Sequence, residues 1–160
     1  MIRYKQLITL IVMDKYLKNP IGRIKDVLYS SDYRRIDYIV INNGNLLKNK
    51  VIIDYKSLSF QENNKIIYNN TDIFNFKMDK YVENTNEGYK LIDKEIRNEY
   101  GECIGFVKDV VIDKDEGKVE GFIITEGIIE DLLKGRNYIP LLDTIYINED
   151  CISIPSSILI

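Results

Sequence analysis

The sequence predicts a mainly β protein: two tandem small β-barrels of short, strongly bent antiparallel strands, with one short helix in the second copy. Three observations carry that expectation. The first is an internal repeat, a pattern to seek early because it changes the reading of the whole fold. IGRIKDVLYSSDYRRIDYIVI, starting at Ile21, aligns without gaps with IGFVKDVVIDKDEGKVEGFII, starting at Ile104, at an offset of 83 residues. Ile21, Gly22, Lys25, Asp26, Val27 and Asp32 recur as Ile104, Gly105, Lys108, Asp109, Val110 and Asp115, and Arg35, Ile36 and Asp37 become Lys118, Val119 and Glu120. The second observation is a series of short apolar runs separated by turn residues. The third is a slip of period inside the repeated segment. Ile21, Ile24, Val27 and Tyr29 cannot share one face of a flat strand, because faces alternate at every residue, and Ile104, Val107, Val110 and Ile112 repeat the slip. A β-bulge near Lys25-Asp26 and near Lys108-Asp109 restores the register and bends the strand, as small barrels require.

The elements follow in order. Leu7 to about Asp14 reads as a first strand, and Asn19-Pro20 turns the chain. Ile21 to Tyr29 is the second strand, a polar turn covers Ser30 to Arg34, and Ile36 to Ile41 is the third. Asn42-Asn43-Gly44 is a strong turn signal, since Asn and Gly tolerate positive φ. Val51 to Asp54 and one or two shorter strands complete the first copy near Tyr68. In the second copy Leu91 to Arg97 is the first strand, and a hairpin at Asp115-Glu116-Gly117 joins Cys103–Asp113 to Val119–Thr125. After an insertion the repeat resumes: Ile53-Asp54-Tyr55 aligns with Ile139-Pro140-Leu141, and Lys65-Ile66-Ile67 with the run from Cys151 to Ile154. The insertion begins at Gly127, and its apolar residues at 128, 129, 132 and 133 suit a short helix stopped by Gly135. The resulting division is a basic module at 1–70, a packed linker at 71–87, and an acidic module at 88–160 with a helical insertion at 127–135.

Composition supports a globular chain, with 45 % apolar and 29 % charged residues. Modules this small have thin cores and gain from packing together. Ile is abundant at 28 residues, whereas Ala, His and Trp are absent. The net charge of −3 conceals +6 over residues 1–60 and −9 over residues 61–160. Either the two halves attract each other or the first meets an acidic partner. The two cysteines, Cys103 and Cys151, form no C-x-x-C pair and are read as buried thiols of a reducing cytoplasm. The apolar run from Leu7 to Met13 is too short for a signal core or a membrane span. A cytoplasmic chain is therefore expected.

At Ile21-Gly22-Arg23-Ile24-Lys25-Asp26-Val27 and Ile104-Gly105-Phe106-Val107-Lys108-Asp109-Val110 the sequence resembles the PRC-barrel family, whose hallmark is an apolar-Gly-x-apolar-Lys-Asp-Val segment followed by an acidic turn and an apolar strand. The resemblance covers roughly residues 4–68 and 88–155. The family includes the cytoplasmic domain of the photosynthetic reaction centre H subunit, the C-terminal domain of the ribosome-maturation factor RimM, and small sporulation-associated proteins of Gram-positive bacteria. The resemblance implies a compact barrel used for docking, closest in type to the stand-alone bacterial members, doubled.

The side chains point away from catalysis. His, the usual general acid or base at neutral pH, is absent, and Cys103, at a strand start, has no basic partner nearby in sequence to make a thiolate nucleophile. Asp113, Asp115 and Glu116 lack the ligand order of a calcium loop, and there is no P-loop or Gly-x-Gly-x-x-Gly. No catalytic residue, metal or cofactor is expected. The candidate binding surface is Arg3, Lys25, Asp26, Arg34, Arg35, Lys108 and Asp109. The two Lys-Asp pairs mark either a feature used twice or a bulge whose Asp bonds turn amides while Lys stays solvated. The expected function is non-enzymatic docking of a protein partner, with self-association as a further possibility. The alternative is an RNA-binding or ribosome-assembly factor acting through Arg3, Lys5, Arg23, Arg34 and Arg35 with interleaved tyrosines, although a pI near 5.1 disfavours it.

Overall fold

The computed structural model describes residues 1–16, 19–42, 50–62, 65–69, 90–125 and 137–159. A two-residue strand β1 (Ile2–Arg3) and a single helical turn α1 (Tyr4–Leu7) precede the first sheet. That sheet comprises β2 (Ile11–Asp14), β3 (Pro20–Tyr29), β4 (Ile36–Asn42), β5 (Lys50–Asp54), β6 (Leu58–Phe60) and β7 (Ile66–Tyr68). The second comprises β8 (Glu95–Asn98), β9 (Cys103–Ile112), β10 (Val119–Ile124), β11 (Tyr138–Pro140), β12 (Tyr146–Ile147) and β13 (Cys151–Ile154).

The two sheets have one topology. The first runs β5-β4-β3-β2-β7-β6 and the second β11-β10-β9-β8-β13-β12. The chain is mainly β, and its two curled sheets form two tandem barrel-like modules. Not every pair is antiparallel: β7 returns beside β2, and β13 beside β8, as parallel neighbours. The aligned pairs Ile39↔Ile53 and Phe122↔Ile139 occupy equivalent rungs. So do Val12↔Ile66 and Ile96↔Ile152.

The register slip is a bulge in both copies. Ile24 faces Ile41 and Asp26 faces Val40, leaving Lys25 as the extra residue. Val107 faces Ile124 and Asp109 faces Ile123, leaving Lys108 as its counterpart. Two further irregularities recur. Asp37 and Glu120 are skipped between β4 and β3 and between β10 and β9. Ile21 and Ile104 are skipped between β3 and β2 and between β9 and β8. Each extra residue adds local twist, so three bulges per module curl sheets of six and, with β1 added, seven strands. Gly22 lets β4 approach closely: a Cβ there would overlap the carbonyl oxygen of Asn42.

Two strand starts differ from the sequence expectation. The chain from Leu7 is not yet a strand: α1 ends at Leu7, and the strand begins at Ile11. In the second copy Ile92 and Asp93 form a turn, Asp93 has φ 65°, and the strand begins at Glu95. Both turns place a Leu in the core, Leu7 at 0 % exposure and Leu91 at 1 %. A continuous apolar run does not reveal which of its residues points inward through a turn. The proposed linker at 71–87 and helical insertion at 127–135 lie outside the described residues.

The buried apolar residues of both modules form one cluster, from Leu7, Ile24 and Ile39 to Val107, Phe122 and Ile152. A contiguous cluster of this kind is the signature of one cooperative unit. β1 reinforces the joint by pairing with β9 across the module boundary, Ile2 facing Ile112.

Candidate binding surface at the module junction

The β3–β4 and β9–β10 hairpins meet tip to tip. The Ile36 amide donates to the Gly117 carbonyl at 2.9 Å, and the Val119 amide donates to the Arg34 carbonyl at 2.9 Å. Under the offset of 83 these two bonds exchange, because Ile36 corresponds to Val119 and Arg34 to Gly117. Between them Arg35 and Lys118, themselves equivalent, form an antiparallel bridge. A pseudo-twofold axis therefore passes between the hairpins.

Two cations face each other on that axis, and each has its own counter-ion. Arg35 pairs with Asp37 at 3.1 Å, and Lys118 pairs with Glu116, which holds the ammonium above its usual range. Arg34 is committed differently. Its Nη2 donates to the carbonyls of Ile145 at 2.8 Å and Leu142 at 3.2 Å, and its Nη1 lies 3.7 Å from Asp143. Asp32 organises the first tip. Its carboxylate accepts from the Ser30 hydroxyl and the Arg34 amide, and these bonds hold it below the usual carboxylate range. An open groove of about 660 Å³ runs over this junction, lined by Asp32, Arg34, Arg35, Asp37, Lys118 and Glu120.

Beneath the tips the joint is apolar with satisfied polar ends. Tyr33 is buried with φ 58°, and the Lys94 ammonium lies 5.1 Å from its ring centre. Lys94 donates to the carbonyls of Asn148 and Glu149 at 2.8 and 2.7 Å. Burial lowers its pKa, and the negative charge of Asp150 opposes that shift. The Tyr55 hydroxyl donates to the Lys114 carbonyl at 2.9 Å, and burial raises its pKa. No local pattern singles out Lys94 or Tyr55, since both act across the joint.

The repeated Asp residues sit at the bulges. Asp26 Oδ1 accepts from the Val27 amide at 2.8 Å, and Asp109 Oδ1 accepts from the Val110 amide at 2.9 Å. α1 spans both sites: the Tyr4 hydroxyl donates to Asp26 at 2.9 Å and the Lys5 amide to Asp109 at 3.2 Å. Lys25 and Lys108 are exposed. Arg3 is exposed too, on β1 opposite Val111. Of the seven candidates, the fold brings Arg34 and Arg35 to the groove and Asp26 and Asp109 to α1.

The thiols lie apart. Cys103 on β9 and Cys151 on β13 are separated by β8, and two strand spacings of about 4.8 Å exceed the reach of a disulfide. Desolvation and the neighbouring Glu95 raise the Cys103 thiol above its usual range. Among the described residues, no three His, Cys, Asp or Glu side chains are grouped to hold a metal.

Residues 83–156 match the family model for the PRC-barrel domain. The second module belongs to the PRC-barrel family. The match contains strands β8 to β13. The first module lies outside the match, yet it repeats the strand order and all three bulges of the PRC-barrel domain. No curated protein matches the chain. No helix among the described residues is long and apolar enough to cross a membrane.

Proposed function

We propose that this tandem PRC-barrel protein is a non-enzymatic docking module that binds a protein partner in the cytoplasm, using the groove over its pseudo-twofold junction. The observation that carries this reading is the groove's composition: its open lining carries both charge signs, with Asp32, Asp37, Glu120 and Asp143 beside Arg34, Arg35 and Lys118. Such a surface suits a protein rim, where complementary charges set orientation. PRC-barrel domains act in general as interaction modules, which supports the same reading. The RNA alternative fits this surface less well. Arg34 Nη2 is held by two backbone carbonyls and Arg35 pairs with Asp37, so gripping phosphate would mean giving up those bonds.

The test is crosslinking from native extract with a photoreactive residue at position 35, compared with one at position 100 far from the junction hairpins in sequence. The expected result is a discrete protein adduct from position 35 alone, abolished by Lys118→Glu. Equal adducts from both positions would sink the groove assignment. RNA binding at low salt that weakens in Arg34→Glu/Arg35→Glu would favour the alternative.

A further inference from the structure

The outer face of the second sheet carries a charge pattern that is complementary to itself. Along β8, Ile96 is fully buried in the core, so Glu95 and Arg97 on either side of it point outward. They pair with each other at 2.6 Å. Two aromatic residues flank them. Phe106 faces Glu95 from β9. Tyr146 on β12 faces Ser153, which in turn faces Arg97. Phe106 is 46 % exposed and Tyr146 74 %. Exposed aromatics of this kind are enriched where proteins meet. The first module is built differently at the same place. Val12 and Ile96 occupy equivalent rungs, so Ile11 and Met13 stand where Glu95 and Arg97 stand, and Arg23 stands where Phe106 does. Neither of those two strand positions is charged in the first module.

The charge pattern selects the occupant. Glu95 and Arg97 lie about 7 Å apart along the strand, on one face. A twofold axis that lies in the plane of that face and crosses β8 at Ile96 exchanges their positions. A second copy placed by this axis sets its β8 antiparallel over the first. Arg97 of each copy then meets Glu95 of the other, and the charges form a ring of alternating sign. Each carboxylate keeps its own guanidinium and gains another. A partner surface of one charge sign would match one of the two side chains and repel the other. Phe106, beside Glu95, lies next to the incoming guanidinium, which stacks on aromatic faces. Sheets packed face to face cross at about 30°, and the displacement this causes is smallest at the axis, where these residues lie. Twofold contacts of one patch with itself are the commonest way for identical chains to pair.

We propose that this face binds a second copy of the chain, forming a twofold dimer centred on Ile96. Sedimentation equilibrium of the full chain over a range of concentrations tests it. The parent is expected to show a reversible monomer–dimer equilibrium that weakens as salt is added. Arg97→Glu sets four carboxylates against one another and is expected to weaken the dimer about a hundredfold, and Glu95→Arg does the same with four guanidinium groups. The decisive sample is an equimolar mixture of these two variants, with the Arg97→Glu chain carrying a fluorescent label. One copy then presents only acid and the other only base, so the labelled chain is expected to sediment as a dimer again, at about the parent's affinity. A variant that had merely misfolded would not be rescued by mixing. The proposal is overturned if the parent is monomeric at every concentration, if Arg97→Glu dimerises as tightly as the parent, or if mixing the two variants fails to restore the dimer.

Discussion

Substituting Gly117 by Ala tests whether the two modules fold as one body. Gly117 has φ 73°, where an L side chain is strained by about 1–2 kcal/mol. Its added Cβ would also lie 2.8 Å from two ring carbons of Tyr55, a residue of the other module, and 3.3 Å from the Ile36 carbonyl oxygen. Overpacking of this kind costs about 1–3 kcal/mol. Gly101 is the control: its φ is 82°, but nothing lies within 4 Å of an added Cβ. Gly101→Ala should therefore carry the strain alone. At about 2–4 °C per kcal/mol for a chain of this size, Gly101→Ala lowers Tm by about 2–8 °C, and Gly117→Ala lowers it by a further ~2–12 °C. Differential scanning calorimetry measures both. The reasoning also requires a single transition in each variant, because the core is continuous across the joint. A Gly117→Ala protein that melts no lower than Gly101→Ala refutes the clash. Two separated transitions refute the shared core.

Asp26→Ala strands the Val27 amide and the Tyr4 hydroxyl and should destabilise by about 1–3 kcal/mol, whereas Lys25→Ala at the exposed bulge position should change stability by less than about 0.5 kcal/mol. Urea denaturation of the pair checks this. Arg34→Met removes two bonds to the Leu142 and Ile145 carbonyls and should cost about 1–3 kcal/mol. Asp143→Asn should cost almost nothing, since that carboxylate is fully exposed. In alkaline solution Tyr4, Tyr29 and Tyr55 hold their protons above the ordinary pKa of 10.0 while the unfolded chain releases them. Their contribution is complete below that pH and is lost as pH rises beyond it. Lys94, lowered from 10.5, acts in the opposite sense but is one group against three. Absorbance at 295 nm should therefore show at least these three tyrosines ionising only as the chain unfolds. Cys103 is exposed and Cys151 buried, so a disulfide reagent should titrate one thiol in the native protein and the second only in denaturant.

The legible part of the fold was local. The bulge at Lys25 and Lys108 was readable because side chains alternate along a strand, and a broken alternation between Ile24 and Val27 has few other remedies. The tip at Asp115-Glu116-Gly117 was readable because Gly supplies the positive φ that turns need. The start of β2 was not, because Leu7 to Met13 is apolar except for Thr9 and helical turn and strand look alike there. Nor was the parallel return of β7 and β13, which depends on where the chain travels after β5 and β11. At the candidate surface, sequence picked out Arg34 as an available cation, but its guanidinium reaches carbonyls more than a hundred positions away. The period of its strand says nothing of the Tyr29 hydroxyl, which is buried without a hydrogen-bond partner among the described residues.

By itself the sequence determined that one segment occurs twice, that β3 and β9 bend at Lys25 and Lys108, and that the halves carry opposite charge. These are properties of short stretches, set by side-chain period and turn chemistry. Only the tertiary structure decided how the copies meet. A pair of exchanged amide bonds, a strand lent from the first module to the second, and a continuous core make the joint. Such contacts link residues far apart along the chain and leave no period behind. The repeat is thus less a pair of independent barrels than one body with a pseudo-twofold axis through Arg35 and Lys118.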